Sequence, residues 1–236
     1  MPTVNVFPTE AALAEAAADL FVQAGAEALA QRGSYRVALS GGRGPQGMFA
    51  ALAERPRALD WAKVELYWAD ERWVEAGDSQ SNFGEARRRW LDHWAAGPRC
   101  FPMVGAALTP AAAAAAYAAL LMGRFGAELP AFDLVLLGMG PDGHTASLFP
   151  GQASLDERQR LCLAVTQPAT GQARLTLTLP VLNAARRCAF LLGGAEKAGL
   201  LARVLAGQSD VPAARVHPAA GEPLWLTDAA AAAQIR

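Results

Sequence analysis

Short apolar stretches alternate along the chain with longer stretches of helical pattern. Seven of the short stretches are nearly continuously apolar or rich in β-branched residues, which is typical of strands buried on both faces of a sheet. These strand candidates are Tyr35–Leu39, Val64–Trp68, Phe132–Leu137, Leu161–Val165, Arg174–Thr178, Cys188–Leu192 and Leu224–Leu226.

Helix signals lie between the strand candidates. Thr9–Gln31 opens with a capping residue and is rich in Ala, Leu and Glu, and Thr109 is placed to cap a helix over Pro110–Met122. Ala195–Ala206 stops at Gly207, a common helix terminator. The alternation predicts an α/β fold with a mostly parallel open sheet and helices on both faces. No linker-like segment or repeat interrupts it, so we expect a single domain over residues 1–236.

Composition narrows the class of protein. Hydrophobic residues make up 53% of the chain and charged residues 18%, which favours a packed globular protein over a disordered one. A formal net charge of −1 gives no general attraction to nucleic acid or to an acidic membrane, so we expect neither as a partner. The N-terminal stretch has no basic region leading into an apolar run, and we expect a cytoplasmic protein.

The cysteines predict neither a disulfide framework nor a metal site. Cys100, Cys162 and Cys188 are odd in number, far apart and without a Cys-x-x-Cys pair. Spaced pairs are the usual signal for bridges or metals, so we interpret these three as reduced thiols in the core.

Glycine or charged residues follow four of the strand candidates. In open α/β sheets, ligands bind outside the carboxyl ends of the strands, so these four exits are candidates for one ligand site. Ordinary turn chemistry explains any one of them, but it explains all four together poorly. The four exits are Ser40-Gly41-Gly42, Asp70-Glu71-Arg72, Gly138–His144, and Gly193-Gly194 followed by Lys197.

The third exit literally matches the dinucleotide motif G-x-G-x-x-G over Gly138–Gly143. We reject a nicotinamide site on three grounds. Pro141 removes an amide, Asp142 places a negative charge against a pyrophosphate, and the next strand candidate ends in Thr166 and Gln167, without an acid for a ribose. The motifs of P-loop nucleotide-binding proteins and of α/β-hydrolases, G-x-x-x-x-G-K-[ST] and G-x-S-x-G, are absent.

His144 is the candidate catalytic base. It lies two residues after Asp142 in a glycine-flanked turn, so a carboxylate is placed to orient an imidazole whose second nitrogen stays free near neutral pH. His93, within the helical stretch Asn82–Trp94, and His217 are interpreted as structural. No second His or Cys lies at ligand spacing from His144, so a metal is not expected.

Phosphate recognition is predicted at the neighbouring exits. Glycine amides of Ser40–Gly42 at the start of a helix suit an anion, although an ordinary strand-to-helix turn is the alternative. Arg72 and Lys197 are the cations placed to neutralise a phosphate. Arg87–Arg89 is interpreted as a solvated helix face.

At these motifs the sequence resembles the 6-phosphogluconolactonase family. The resemblance implies hydrolysis of 6-phosphoglucono-δ-lactone, a sugar-phosphate lactone, in the oxidative pentose phosphate pathway without a metal or cofactor. It also implies the sheet fold of the glucosamine-6-phosphate deaminases, with Asp142 and His144 catalytic and with Ser40, Gly41, Gly42, Asp70, Arg72, Gly143, Arg174 and Lys197 on the substrate. The residues that resemble the family are Ser40–Gly42, Asp70–Val74, Ser81-Asn82, Phe132–Gly151, Arg174–Thr178 and Gly193–Lys197.

The deaminases are the main rival within this resemblance. They carry Asn-Glu-Pro shortly after the histidine, where this chain has Leu148-Phe149-Pro150, and an aromatic residue after Asp-Glu, where this chain has Arg72. Both differences favour the lactonase. A non-catalytic sugar-phosphate sensor is a further alternative, but no helix-turn-helix segment is apparent.

The chain departs from the family in one loop. The family loop usually reads Ser-Gly-Gly-Ser-Thr-Pro, whereas this chain has Arg43-Gly44-Pro45 after its glycines. Two hydroxyl groups are lost, and Arg43 either brings a compensating charge to the ligand or points to solvent.

Overall fold

The computed structural model describes residues 2–56, 58–107, 109–126 and 128–235. Within these ranges the chain forms ten strands and six α-helices, with short 3-10 turns between them. The strands are β1 (Thr3–Phe7), β2 (Tyr35–Leu39), β3 (Val64–Trp68), β4 (Asp70–Arg72), β5 (Arg99–Phe101), β6 (Leu134–Leu137), β7 (Cys162–Thr166), β8 (Ala173–Leu177), β9 (Cys188–Leu192) and β10 (Leu224–Asp228). The helices are α1 (Glu10–Arg32), α2 (Arg43–Ala53), α3 (Asn82–Arg89), α4 (Pro110–Phe125), α5 (Leu179–Ala184) and α6 (Ala198–Leu205).

Seven strands form one parallel sheet in the order β1-β10-β9-β6-β2-β3-β5. From β2 the chain adds β3 and then β5 on one side, and β6 then returns to the other side of β2. The order therefore reverses between β2 and β6, and the crevice outside the carboxyl ends of these two strands is where such sheets bind ligands. Both of the glycine-rich exits, after β2 and after β6, open into that crevice.

The remaining three strands correct the expectation of a single sheet. β4, β8 and β7 form a separate antiparallel sheet, in that order, although Leu161–Val165 and Arg174–Thr178 were expected to join the parallel sheet. β7 alternates exposed and covered positions in its second half, which suits a sheet with one solvated face. The Leu177 amide donates to the Ala69 carbonyl, which joins this small sheet to the end of β3.

The strongest apolar patterns are confirmed to the residue. β2, β3 and β9 have the predicted bounds, and their side chains are almost all buried. The sequence pattern missed β1, β4 and β5, each of which is short, at an edge or rich in polar residues.

The predicted helix caps are also confirmed. The side-chain oxygens of Thr9 and Thr109 accept hydrogen bonds from the amides of Ala12 and Ala112 at 3.1 and 3.2 Å. The stretch Ala195–Ala206 is not one helix, because a 3-10 turn over Ala195–Lys197 precedes α6. No helix of the described ranges is both long and apolar enough to span a bilayer.

Cys162 and Cys188 lie in the core as expected, but the same expectation for Cys100 was wrong, because its side chain is only half-buried. Burial raises the pKa of both core thiols to about 12 and that of Cys100 to about 11. Such thiols are overwhelmingly protonated at neutral pH and are therefore poor nucleophiles.

Candidate active site

A cleft of about 150 Å³, open to solvent, lies outside the carboxyl ends of β2, β6 and β9 and against β4 and β8. All four predicted exits contribute to its wall, together with Arg174 of β8. The residues that line it are Ser40 to Pro45, Asp70, Arg72, Asn82, Gly138 to Gly140, His144, Ala146, Arg174, Leu191 and Lys197.

The His144 imidazole lies at this wall and is held from behind by Asp142. Its Nδ1 lies 2.5 Å from Asp142 Oδ1, and the same oxygen accepts the His144 amide at 3.2 Å. An Nδ1–H that donates to the carboxylate leaves the lone pair on Nε2 free to accept a proton. The Phe149 ring packs on the other side, with its centroid 4.9 Å from that of the imidazole.

The turn that carries the pair depends on two glycines. A Cβ on Gly140 would lie 2.1 Å from His144 Cε1, so a side chain at position 140 would displace the imidazole. Gly143 has a φ of 85° and lies against Val211, and its carbonyl accepts the Ala213 amide at 3.1 Å. Gly143 therefore faces away from the cleft and fixes the turn.

The segment after His144 is anchored by buried hydrogen bonds. Ser147 donates its hydroxyl to Asp70 at 2.8 Å and its amide to Thr176 Oγ1 at 3.2 Å. Ala146, between the histidine and this anchor, has a φ of 47°, a left-handed conformation that costs a non-glycine residue free energy. The strain lies on the cleft wall, where the surrounding contacts hold it in place.

Two arginines from the small sheet face the cleft side by side. Arg72 of β4 is the cross-strand partner of Arg174 of β8. Like charges placed opposite each other destabilise a sheet, so this pair has a cost in the free protein. Burial, helped by the charge of Arg72, lowers the pKa of Arg174. Neither arginine has an ion-paired carboxylate among the described residues, and the Nε atoms of both are buried without an acceptor.

Lys197 adds a third cation from the exit of β9. Burial lowers the pKa of its amine, and the positive charge of Arg43 acts in the same direction, while Glu196, Asp228 and Glu10 oppose them. The described residues form no ion pair with its Nζ. Three partly desolvated cations around one cleft favour a ligand that brings its own negative charge.

Glu71 organises the wall below these cations. Its carboxylate accepts the amides of Asn82 and Phe83 at 2.7 and 2.8 Å and the Ser81 hydroxyl at 3.1 Å, at the start of α3. Burial raises the pKa of Glu71, whereas the hydrogen bonds from the backbone amides lower it by a smaller amount. The Asn82 side chain then donates to the Asp70 carbonyl at 2.9 Å, and both residues line the cleft.

The exit of β2 supplies polar groups without partners. Ser40 Oγ is buried and has no hydrogen-bond partner in the structure, and Gly42 begins α2 without a side-chain cap. The first amides of a helix lack intrahelical acceptors and attract anions. Ser40 to Gly42 therefore offers both a hydroxyl and amides to a ligand.

The comparisons with known proteins agree with this geometry. Residues 8–225 match the family model described as glucosamine-6-phosphate isomerases/6-phosphogluconolactonase. The chain belongs to this family. A 6-phosphogluconolactonase of Streptomyces coelicolor is 38% identical to it, and the alignment covers 99% of this chain and 95% of that protein.

Solved structures place the fold in the same family. The 6-phosphogluconolactonase of Trypanosoma brucei superposes with a TM-score of 0.88 and 27% identity, covering 100% of this chain and 99% of that one. A monomeric glucosamine-6-phosphate deaminase superposes with a TM-score of 0.82 over 98% of this chain and 99% of its own, but at 22% identity. The similarity to the deaminase structure confirms the expected deaminase-type fold, and at this identity it says nothing about activity.

The structure brings most of the candidate residues of this family member to one cleft. Asp142 and Gly143 lie behind the wall rather than on it, the first against His144 and the second against Val211. Sequence reasoning did not propose Asn82 or Ala146 as site residues. Asn82 lies in a motif that resembles the family, but nothing in the sequence signals the left-handed Ala146.

One ground used against a nicotinamide site was wrong. β7, whose end lacks an acid for a ribose, belongs to the other sheet and cannot be the second strand of a dinucleotide fold. A stronger ground replaces it: after Gly143 the chain continues as a turn, and no helix begins there to face a pyrophosphate.

Of the histidines outside the cleft, His93 lies in a 3-10 turn and contacts the Arg88 carbonyl through Nε2 at 3.0 Å. His217 is exposed, 3.8 Å from Glu222. Across the described ranges, no three His, Cys, Asp or Glu side chains are grouped so that they could hold a metal.

Proposed function

We propose that this chain hydrolyses 6-phosphoglucono-1,5-lactone to 6-phosphogluconate, with His144 as the general base and without a metal. The observation that supports this most is the His144–Asp142 pair on the wall of a cleft whose other walls present Arg72, Arg174 and Lys197. A proton acceptor beside a set of unpaired cations suits a neutral ester that has an anionic handle.

The cations bind the phosphoryl group and thereby position the lactone ring. Arg72 and Arg174 present adjacent guanidinium groups, which match the oxygens of a phosphate, and Lys197 adds a point charge. The Ser40 hydroxyl and the amides of Gly41 and Gly42 complete the substrate contacts. Asp70, held by Ser147, offers a carboxylate oxygen to a sugar hydroxyl.

The chemical step is addition of water to the lactone carbonyl. His144 Nε2 accepts a proton as the water oxygen bonds to C1, and Asp142 stabilises the imidazolium that forms. The turn at Gly138–Gly140 lines the cleft, but the Gly140 amide donates to the His144 carbonyl at 2.9 Å. We therefore assign stabilisation of the negative oxygen of the intermediate to the other backbone amides of the cleft's glycine turns. When the bond from C1 to the ring oxygen breaks, the imidazolium returns its proton to that oxygen, which leaves a carboxylic acid and a hydroxyl group.

The deaminase alternative lacks a carboxylate where it needs one. Leu148 and Phe149, at the positions that carry Asn-Glu in the deaminases, are buried, and Phe149 packs on His144. No acidic side chain replaces them in this segment.

The test is a rate measurement with two substrates. Freshly generated 6-phosphogluconolactone is mixed with the protein, and the spontaneous rate of hydrolysis is subtracted. Acceleration with the lactone and none with glucosamine 6-phosphate is the expected result. The reverse pattern, or acceleration with neither substrate, would overturn the proposal.

A further inference from the structure

Arg43 and Glu196 form an ion pair at the mouth of the cleft. Arg43 is the first residue of α2, and Glu196 lies in the 3-10 turn that follows β9, next to Lys197. The Arg43 side chain is 61% exposed and that of Glu196 is 47% exposed, so water screens the pair. Exposed pairs of this kind contribute little to stability and exchange partners easily.

Gly44 brings the two partners together. A Cβ at position 44 would lie 2.8 Å from the Leu191 carbonyl oxygen and 2.9 Å from Leu191 Cβ. The missing side chain therefore lets the first turn of α2 lie directly on the end of β9. The two residues that replace the usual Ser-Thr act together. Gly44 lets α2 lie close to β9, and this places Arg43 within reach of Glu196.

The charges of this corner are close enough to act on one another. Both Arg43 and Glu196 affect the protonation of Lys197, the arginine disfavouring its charged form and the glutamate favouring it. Arg43 and Lys197 also line the same cleft. A phosphoryl group that enters beside Lys197 brings about two negative charges, more than the one that Glu196 offers to Arg43.

We propose that Arg43 is a further substrate-binding residue of this chain, which exchanges Glu196 for the substrate phosphoryl group, so that Glu196 competes with the ligand. The inference rests on the proposed binding of a sugar phosphate. It predicts effects of opposite sign at the two partners of one ion pair. A merely structural pair would give effects of the same sign, because either variant breaks the same contact.

The test measures the Kd for 6-phosphogluconate, with inorganic phosphate as a second probe, in the variants Arg43→Ser, Glu196→Gln and the double variant. Loss of a partly exposed cation is expected to raise the Kd about 3–10-fold, and loss of the competing carboxylate to lower it about 2–4-fold. In the Arg43→Ser background, Glu196→Gln is expected to change the Kd by less than about 1.5-fold, because its competitor role acts through Arg43.

Glu27→Gln is the matched control, since Glu27 pairs with Arg187 at the start of β9, away from the cleft. It is expected to leave the Kd unchanged. Three results would overturn the inference: an unchanged Kd in Arg43→Ser, a raised Kd in Glu196→Gln, or an equal gain from Glu196→Gln in both backgrounds. Lactone hydrolysis by the unmodified chain is measured alongside, so that failure of the proposed function shows separately as absent hydrolysis.

Discussion

Two pairs of arginines in this protein have opposite surroundings. Arg36 of β2 and Arg124 of α4 converge on Glu65, a β3 residue that is only 4% exposed. Arg72 and Arg174, on the small sheet, are cross-strand partners, and no carboxylate in the described part of the chain forms an ion pair with either of them. The two arginines at Glu65 have a counter-charge within the chain. For the two arginines in the cleft, we expect a bound ligand to provide it.

The Glu65 cluster contains its own counter-charge, although the Nε atoms of Arg36 and Arg124 are buried without a hydrogen-bond acceptor, like those of the two cleft arginines. Arg36 Nε lies 3.2 Å from Glu65 Oε2, the Tyr67 hydroxyl donates to the same oxygen at 2.9 Å, and Arg124 pairs with Oε1. The guanidinium of Arg36 also stacks 4.6 Å above the Phe125 ring. In the cleft, the Arg174 guanidinium lies 6.0 Å from the centre of the Phe149 ring. The charges of Asp70 and Glu71 act on it, but no carboxylate of the described residues forms an ion pair with it. An arginine packs near a phenylalanine ring in both regions, but of the two regions only the Glu65 cluster has a described carboxylate paired with its arginines.

Among the variants that test this comparison, Arg174→Met has the largest expected effect. It removes a charge-assisted phosphate contact, which is worth about 1.5–3 kcal/mol, so KM for the lactone and Kd for 6-phosphogluconate should rise about 10–100-fold. Thermal stability should stay the same or rise, because the desolvated charge facing Arg72 is gone. A variant with unchanged KM and a lower Tm would show that Arg174 is structural.

Glu65→Gln tests the other half of the comparison and should give the opposite pattern. Breaking a fully buried pair costs about 3–5 kcal/mol, and the loss here should be nearer 2 kcal/mol because the two arginines are about one-third exposed. The rate of lactone hydrolysis should not change. Denaturant unfolding measures the loss, with Glu27→Gln as the surface-pair control. A loss no larger than that of the control would contradict the structural role of the cluster.

Lys197 gives a smaller effect that depends on pH. Because burial lowers the pKa of its amine, the cation loses its proton at a lower pH than an ordinary lysine does. The phosphoryl group stays dianionic above about pH 7, so affinity for 6-phosphogluconate should fall several-fold on the alkaline side as Lys197 is neutralised. In Lys197→Arg the guanidinium keeps its charge, and the alkaline fall should disappear. Titrations from about pH 7 to 10 measure it, and the same fall in both proteins would assign it to another group.

The sequence predicted those parts of the fold whose signal is local. β2, β3 and β9 are continuous apolar runs, and Thr9 and Thr109 are capping residues whose hydrogen bonds reach only three positions along the chain. β4 could not be found in this way, because Asp70-Glu71-Arg72 is extended only through its pairing with β8, about one hundred positions later in the chain.

The candidate site divides in the same way. The glycine turn that holds Asp142 and His144 is contiguous in sequence, so its geometry could be predicted before the structure. Arg72 and Arg174 lie opposite each other because β4 and β8 pair in the second sheet. The Arg43–Glu196 contact depends on how α2 lies on β9. Both contacts are products of tertiary packing, and motif positions in the sequence do not predict the distances between the side chains.

The most direct test of the account is His144→Ala, measured both for lactone hydrolysis and for binding of 6-phosphogluconate. If the histidine supplies acid–base chemistry and the cations supply binding, the rate above background should fall about 10²–10⁴-fold. The Kd should change little, because Arg72, Arg174 and Lys197 are untouched. A variant that keeps a near-normal rate, or that loses binding as much as rate, would contradict this division of labour.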